Sequence, residues 1–381
     1  SIGDELGNSG ITFTTPVTRY AVGANWNNTN SWSTSSGGAT GASVPLAQDT
    51  VHFDASSISM AVNSGMRYLG TNIDFAGYTQ TITFQGTAIR TGVVLGNLTL
   101  ASGQASPGLG SSPTVRFAGR SSHTITSAGK TFANAASIEG FGGNYALADA
   151  LTLNGGALTL TRGTFDDGGF SISAASFSSS NSNTRAFAGS GTWSVTSTGT
   201  VFTTATNTSL TTSGFTGTIK LTNSSSSSKT WATGGYVGST INYWNATGST
   251  GVCIFTGSGT LNDIKIDAGR TQQFTAATTT TFTTMTLPVS ASNAITITSV
   301  TAAQHTLLCN SAAAIKFYGC TISQSKATGT SAFEAYNDTT VWNNVNGGST
   351  SGYRWWPQQT WVDVSNATAA GRQSIARAAN F

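Results

Sequence analysis

From about residue 50 to residue 350 the chain alternates apolar and polar positions in short runs. "QTITF", "NLTL", "TVRF", "HTITS", "ALTLT", "FSIS", "TWSVT", "GTIKLT", "NDIKID" and "AITIT" are typical. Each run carries β-branched, aromatic or leucine side chains at every second position and is bounded by Gly, Ser, Asn or Asp. A period of two over three to six residues predicts β-strands, and strong helical periodicity is missing from the whole stretch.

The spacing of the runs predicts how the strands assemble. Equivalent positions recur at Leu153, Ile172 and Trp193, then at Val195, Ile219, Ile241 and Ile264, so the interval stays in the low twenties. That is the length of one coil of a β-solenoid, in which a single coil cannot bury its inward residues but a stack buries a continuous column. A body of roughly 300 residues at ~22 per coil predicts about 13 to 14 coils and, at ~4.8 Å per coil, a rod about 65 Å long. Crossovers between parallel strands are overwhelmingly right-handed, so the expected fold is all-β, a right-handed parallel β-helix. A β-sandwich or a chain of two sandwiches is the competing architecture, since it also produces many short strands.

A rod of this kind exposes sheet edges at its ends, and these need covering. Residues 1–50 are expected to form an N-terminal segment and cap, 51–350 the solenoid body, and 351–381 an aromatic C-terminal cap with a short helical tail. The opening stretch "NWNNTNSWSTSSGG" holds Trp26 and Trp32, read as a lid over the first coil, with sugar stacking as the alternative. Pro45 suits a strand entrance because it has no N–H to donate. Asp49 is placed to accept backbone N–H groups in the turn before "TVHF". At the other end the Ala-rich segment from Asn366, with Ser365 or Asn366 as cap, predicts the helix. Trp342, Tyr353, Arg354, Trp355, Trp356 and Trp361 gather near that end. Sealing of the last coil is one reading for them, and contact with a protein partner or a glycan is the other.

Composition sharpens the picture. Charged residues are only 8% of the chain, against roughly 25% in ordinary globular domains. Stacked like charges would repel across neighbouring coils, whereas Ser, Thr and Asn pair in ladders. The 17 basic residues are scattered singly and the net charge is +3, so the basic stripe required for nucleic acid is missing. No apolar stretch has the length of a membrane span. The start, "SIGDELGNSG", has neither Met nor the regions of a signal peptide, and reads as processed or trimmed. Cys253, Cys309 and Cys320 are odd in number with no CxxC spacing, which favours buried thiols over a Cys309–Cys320 disulfide.

The sequence offers little chemistry. The local carboxylate pairs among 14 acidic residues are Asp49/Asp54, Asp166/Asp167 and Asp263/Asp267. "FDDGG" reads as a turn, and Asp263 and Asp267 flank the strand "IKI". A glycosidase needs two carboxyls about 5–9.5 Å apart across one bond, which coils could assemble from distant positions. His52, His123 and His305 are isolated, no metal-ligand spacing appears, and no cofactor fingerprint sits in a strand–turn–helix setting. No catalytic, cofactor or metal residue is assigned.

Taken in order, "NWNNTNSWSTSSGGATGASVPLAQDTVHFD", "LTLTRGTFDDGGFSISAASFSSSNSNTRAF", "SSSSSKTWATGG", "FTGSGTLNDIKI" and "NNVNGGSTSGYRWW" resemble a repetitive β-rich group. Its members are common among bacteriophage virion proteins, tail fibres and other appendages, and related bacterial surface proteins. Trp26, Trp32, Pro45, Asp49, Val51 and Phe53 fit the group's opening, and Gly163 to Asp166 its "GTF-D" coil. Gly352-Tyr353 stands where the group has Gly-Trp. The likeness covers about residues 19 to 356 through short, low-complexity motifs. It implies a non-enzymatic structural protein of a phage particle, located on the virion as a fibre, spike or capsid decoration. Its implied partners are other virion proteins, further copies of the chain (a trimer in many such appendages) and a host-surface glycan. A polysaccharide depolymerase on the same fold and a bacterial surface adhesin are the alternatives.

Overall fold

The computed structural model describes residues 4, 9–62, 68–84, 91–105, 114–133, 135–236, 238–246, 248, 250–289, 295–336 and 344–356. Half of the chain is strand and about 1% is helical, wound as a parallel β-solenoid of about 12 turns. The single helical element among the described residues is the short 3-10 turn Thr29–Ser31. The expected C-terminal helix lies outside the described residues, as do Trp342 and Trp361.

The most regular coils lay one strand on each of three faces, while others carry two strands among the described residues. One coil places Ser176–Ser178 on the first face, Arg185–Ala188 on the second and Thr192–Val195 on the third. Each pairs in parallel with its counterpart one coil earlier and one coil later. The first face runs from Tyr68–Gly70 to Val345–Asn346 at intervals of 19 to 30 residues. The longest interval, Gly199 to Lys229, carries the run "NSSSSS" as loop. Insertions of this kind make coils longer than 22 residues on average, which is why about 12 turns form instead of 13 to 14. At ~4.8 Å per turn the rod is about 58 Å long.

Alternation puts one side chain in two into the bore. Phe177, Phe202, Trp231, Phe255 and Phe274 stack inside the first face, with neighbouring ring centroids 4.7–6.1 Å apart. Each buried aromatic contributes roughly 1.5–3 kcal/mol of transfer free energy. Outward positions form the polar ladders expected of the composition. On the third face Thr131, Thr152, Ser173 and Ser194 align in register. The column then passes through Lys220, Trp244 and Lys265. There the Trp244 ring lies between the two ammonium groups, 3.9 and 3.8 Å from its centroid, which separates like charges with a cation–π contact on each face.

The stack already begins at Thr18–Ala21, which pairs in parallel with Thr50–His52; parallel pairing thus starts well before residue 51. Its other edge is covered by the antiparallel strand Trp32–Ser33. Trp26 and Trp32 are buried, meet edge to face at 4.9 Å and rest on Phe53. The Trp32 indole N–H donates to the Trp26 carbonyl at 2.7 Å. Buried Asp49 accepts from the N–H groups of Leu46 and Val17, tying the turn to the first strand, and Pro45 is buried just ahead of it.

Candidate functional site

Several acidic side chains close turns or join neighbouring coils. Asp149 accepts from the N–H groups of Ser127 and Ala128 one coil back. Asp54 and Asp166 each accept from the N–H two residues on and close turns. Asp167 does more than the turn its sequence suggests. Fully buried, it takes the N–H groups of Gly169, Ser190 and Gly191 and the Trp193 indole N–H, fastening its coil to the next. Asp263 accepts from the hydroxyls of Thr284 and Thr286.

The histidines are equally local. His52 pairs with Asp74 at 3.2 Å and stacks on Tyr20. His123 meets the Ser121 hydroxyl, and partial burial lowers its pKa. His305 is fully buried on Phe274, with the Ser299 hydroxyl 3.1 Å from Nδ1 and the Ser325 hydroxyl 2.9 Å from Nε2. Burial pushes its pKa down to about 4, so the ring is neutral in the fold. The three cysteines are buried thiols, and burial raises that of Cys320 to about 12. Among the described residues no three His, Cys, Asp or Glu side chains converge as a metal cluster.

The C-terminal aromatics divide by alternation. Tyr353 and Trp355 turn inward onto the core, Tyr353 against Phe317 and Phe333 with its hydroxyl on Ser325. Arg354 and Trp356 face outward. There Tyr318, Tyr336 and Trp356 stack at 5.5 and 6.0 Å with near-parallel rings. Of the six residues gathered at this end, Arg354 and Trp356 are therefore the described ones that point to the outside.

A different region has the shape of a binding site. The corner between the first and second faces is built from glycine in successive early coils: Gly70, Gly96, Gly119, Gly140 with Gly143, and Gly163. A Cβ at Gly96, Gly119 or Gly140 would lie 2.1–2.4 Å from a carbonyl oxygen of the preceding coil, so no larger residue fits. Beside this corner, on the outer side of the first face, Tyr68, Val93 and Leu95 bury themselves in a small apolar cluster apart from the main core, with Ala118 packed on it. They form the floor of a groove of about 420 Å³, inside the ~300–1,000 Å³ range of small-ligand clefts.

Charged and aromatic walls surround that floor. Arg116 donates through Nε at 2.7 Å, and through Nη2, to the Glu139 carboxylate, whose other oxygen accepts from the Ser137 hydroxyl. That pairing raises the Arg116 pKa. Arg120 lies 5.9 Å from the ring centroid of Phe141. Arg162 is in register with Glu139 one coil later. Between Glu139 and Asn144 the strand advances five residues while its partner advances two, from Arg162 to Thr164. This bulge, "EGFGGN", swings Phe141 outward, where it is 66% exposed.

Comparisons with protein families, curated proteins and solved structures find no match to this chain.

The groove therefore speaks through its own chemistry. Three arginines and one carboxylate line the groove over an apolar floor, together with an exposed aromatic ring. Such a constellation suits recognition of an anion joined to a flat apolar face. Periodicity alone does not find it, because Arg116, Arg120, Glu139, Phe141 and Arg162 look like isolated residues in the sequence. The available signal is the 46-residue separation of Arg116 and Arg162, two coil lengths, together with a phenylalanine bracketed by glycines inside a strand.

Proposed function

We propose that the protein is a non-enzymatic structural rod of a bacteriophage particle, a fibre, spike or capsid decoration that contacts its surroundings through its sides. The observation that carries this reading is the use of carboxylates. Asp49, Asp54, Asp149, Asp166, Asp167 and Asp263 are spent on hydrogen bonds within and between coils. These six side chains thereby serve the mechanics of the stack. Polar uncharged ladders on the outside and continuous aromatic columns inside suit a stiff, solvent-washed element. The sequence likeness to phage appendage proteins supplies the setting, and other virion proteins and further copies of the chain are its partners.

The test is immunogold labelling of purified phage particles from the source of the gene, with serum raised against the purified chain. Decoration of one particle feature supports the reading. Label confined to bacterial envelopes overturns it in favour of a surface adhesin. In parallel, loss of chain length in host capsular polysaccharide or lipopolysaccharide incubated with the purified chain would overturn the non-enzymatic part.

A further inference from the structure

We propose that the groove beside the glycine corner binds an acidic oligosaccharide, with Arg120 and Arg162 taking its carboxylates and Phe141 carrying one pyranose face. Arg116 is occupied: its guanidinium is held by Glu139, and Glu139 is held in turn by Ser137. Arg120 and Arg162 have no hydrogen-bond acceptor or ion-pair partner among the described residues. Two guanidinium groups lining the groove are thus left without an acceptor, and a guanidinium matches a carboxylate with two parallel donors.

The remaining walls narrow the class of anion. Arg120 covers part of the Phe141 surroundings, and the ring is otherwise open to solvent. A pyranose ring presents an apolar C–H face to such a ring and hydroxyls at its edge. The Arg116–Glu139 pair and the Thr161 hydroxyl line the same groove and supply donors and acceptors for those hydroxyls. An extended acidic peptide would seek a free strand edge. None is offered here, because Thr114–Phe117 is paired on one side with Thr91–Val94 and on the other with Ala135–Leu147. A repeating acidic sugar also suits the geometry of a rod, which lies along a polymer.

Binding is measured on the purified full chain by isothermal titration, so it is decided whatever the particle labelling shows. The probes are trigalacturonate, its neutral counterpart galactotriose, inorganic phosphate and hexaglutamate. Trigalacturonate is expected to bind, more weakly as salt rises, and galactotriose at least about tenfold more weakly. Arg120→Ala with Arg162→Ala is expected to weaken trigalacturonate about tenfold or more, since both charged donors to its carboxylates are removed. Phe141→Ala should weaken it several-fold, and circular dichroism should show both variants folded. Equal binding of galactotriose, or indifference of the double variant, overturns the proposal. Phosphate or hexaglutamate binding as tightly as trigalacturonate overturns the assignment to a sugar, and absence of trigalacturonate binding overturns it altogether.

Discussion

Arg162 and Arg185 lie one coil apart at the same corner of the rod, yet they occupy opposite environments. Around Arg162 the corner is a glycine turn, tight enough that the side chain stands outside over the groove. One coil later the corner widens into the loop 179–184, and Arg185 turns inward, 2% exposed. No carboxylate of the described residues meets it. Its guanidinium is held by the carbonyls of Ser179, Asn183, Thr206 and Thr208 and by the Ser179 hydroxyl, at 2.6–2.8 Å. Burial lowers its pKa, although a guanidinium stays protonated. Residue type therefore does not mark a site in this molecule. A cation saturated by backbone oxygens is a rivet between coils, and a cation left unsatisfied over a groove is available to a ligand.

The largest effect should come from the rivet. Arg185→Met keeps the length of the side chain but strands several buried carbonyls, and should lower unfolding free energy by about 3 kcal/mol or more, measured with urea. A loss below ~1 kcal/mol would mean that the loop relaxes and the contrast is weak. His305 extends the rule to a group that changes charge. Its folded pKa, about 4, lies below its ordinary 6.5, so its contribution is fully present above pH 6.5 and is lost as pH falls toward 4. The loss is about 3 kcal/mol over that window, because the unfolded chain takes up the proton first. His305→Gln should flatten this part of the urea-stability profile, and an unchanged slope would assign the acid sensitivity elsewhere. Gly163→Ala probes the corner itself. Its φ is +76° and an added Cβ would stand 2.3 Å from the Gly140 carbonyl, so a cost of about 2 kcal/mol is expected in the same assay.

Much of the architecture is legible in the sequence, because stacking repeats one coil's pattern in the next. The alternation of "ALTLT" or "TWSVT" sets the facing of each side chain, and recurrence in the low twenties sets the coil. The pairing of Trp26 and Trp32 at the first coil follows from their place before the first regular run. The sites are harder to read, because their members meet across coils. Asp167 looks like one half of an Asp-Gly turn until the next coil brings Ser190, Gly191 and Trp193 to its carboxylate. Tyr353 and Trp355 read as either seals of the last coil or contact residues until register shows that alternate residues of "YRWW" enter the core. Arg116 and Arg162 become neighbours of one groove only when the coil is close to 23 residues long, a value that "NSSSSS" and other loop insertions obscure in the raw spacing.

The smallest expected effect is also the most telling. Urea unfolding of the Arg120→Ala/Arg162→Ala double variant, run beside Arg185→Met, tests whether satisfaction separates structural arginines from ligand-ready ones. The double variant should retain wild-type stability to within about 0.5 kcal/mol, as surface substitutions do, while Arg185→Met loses about 3 kcal/mol or more. A double variant destabilised as strongly as Arg185→Met would contradict the account, since the groove arginines would then be part of the fold.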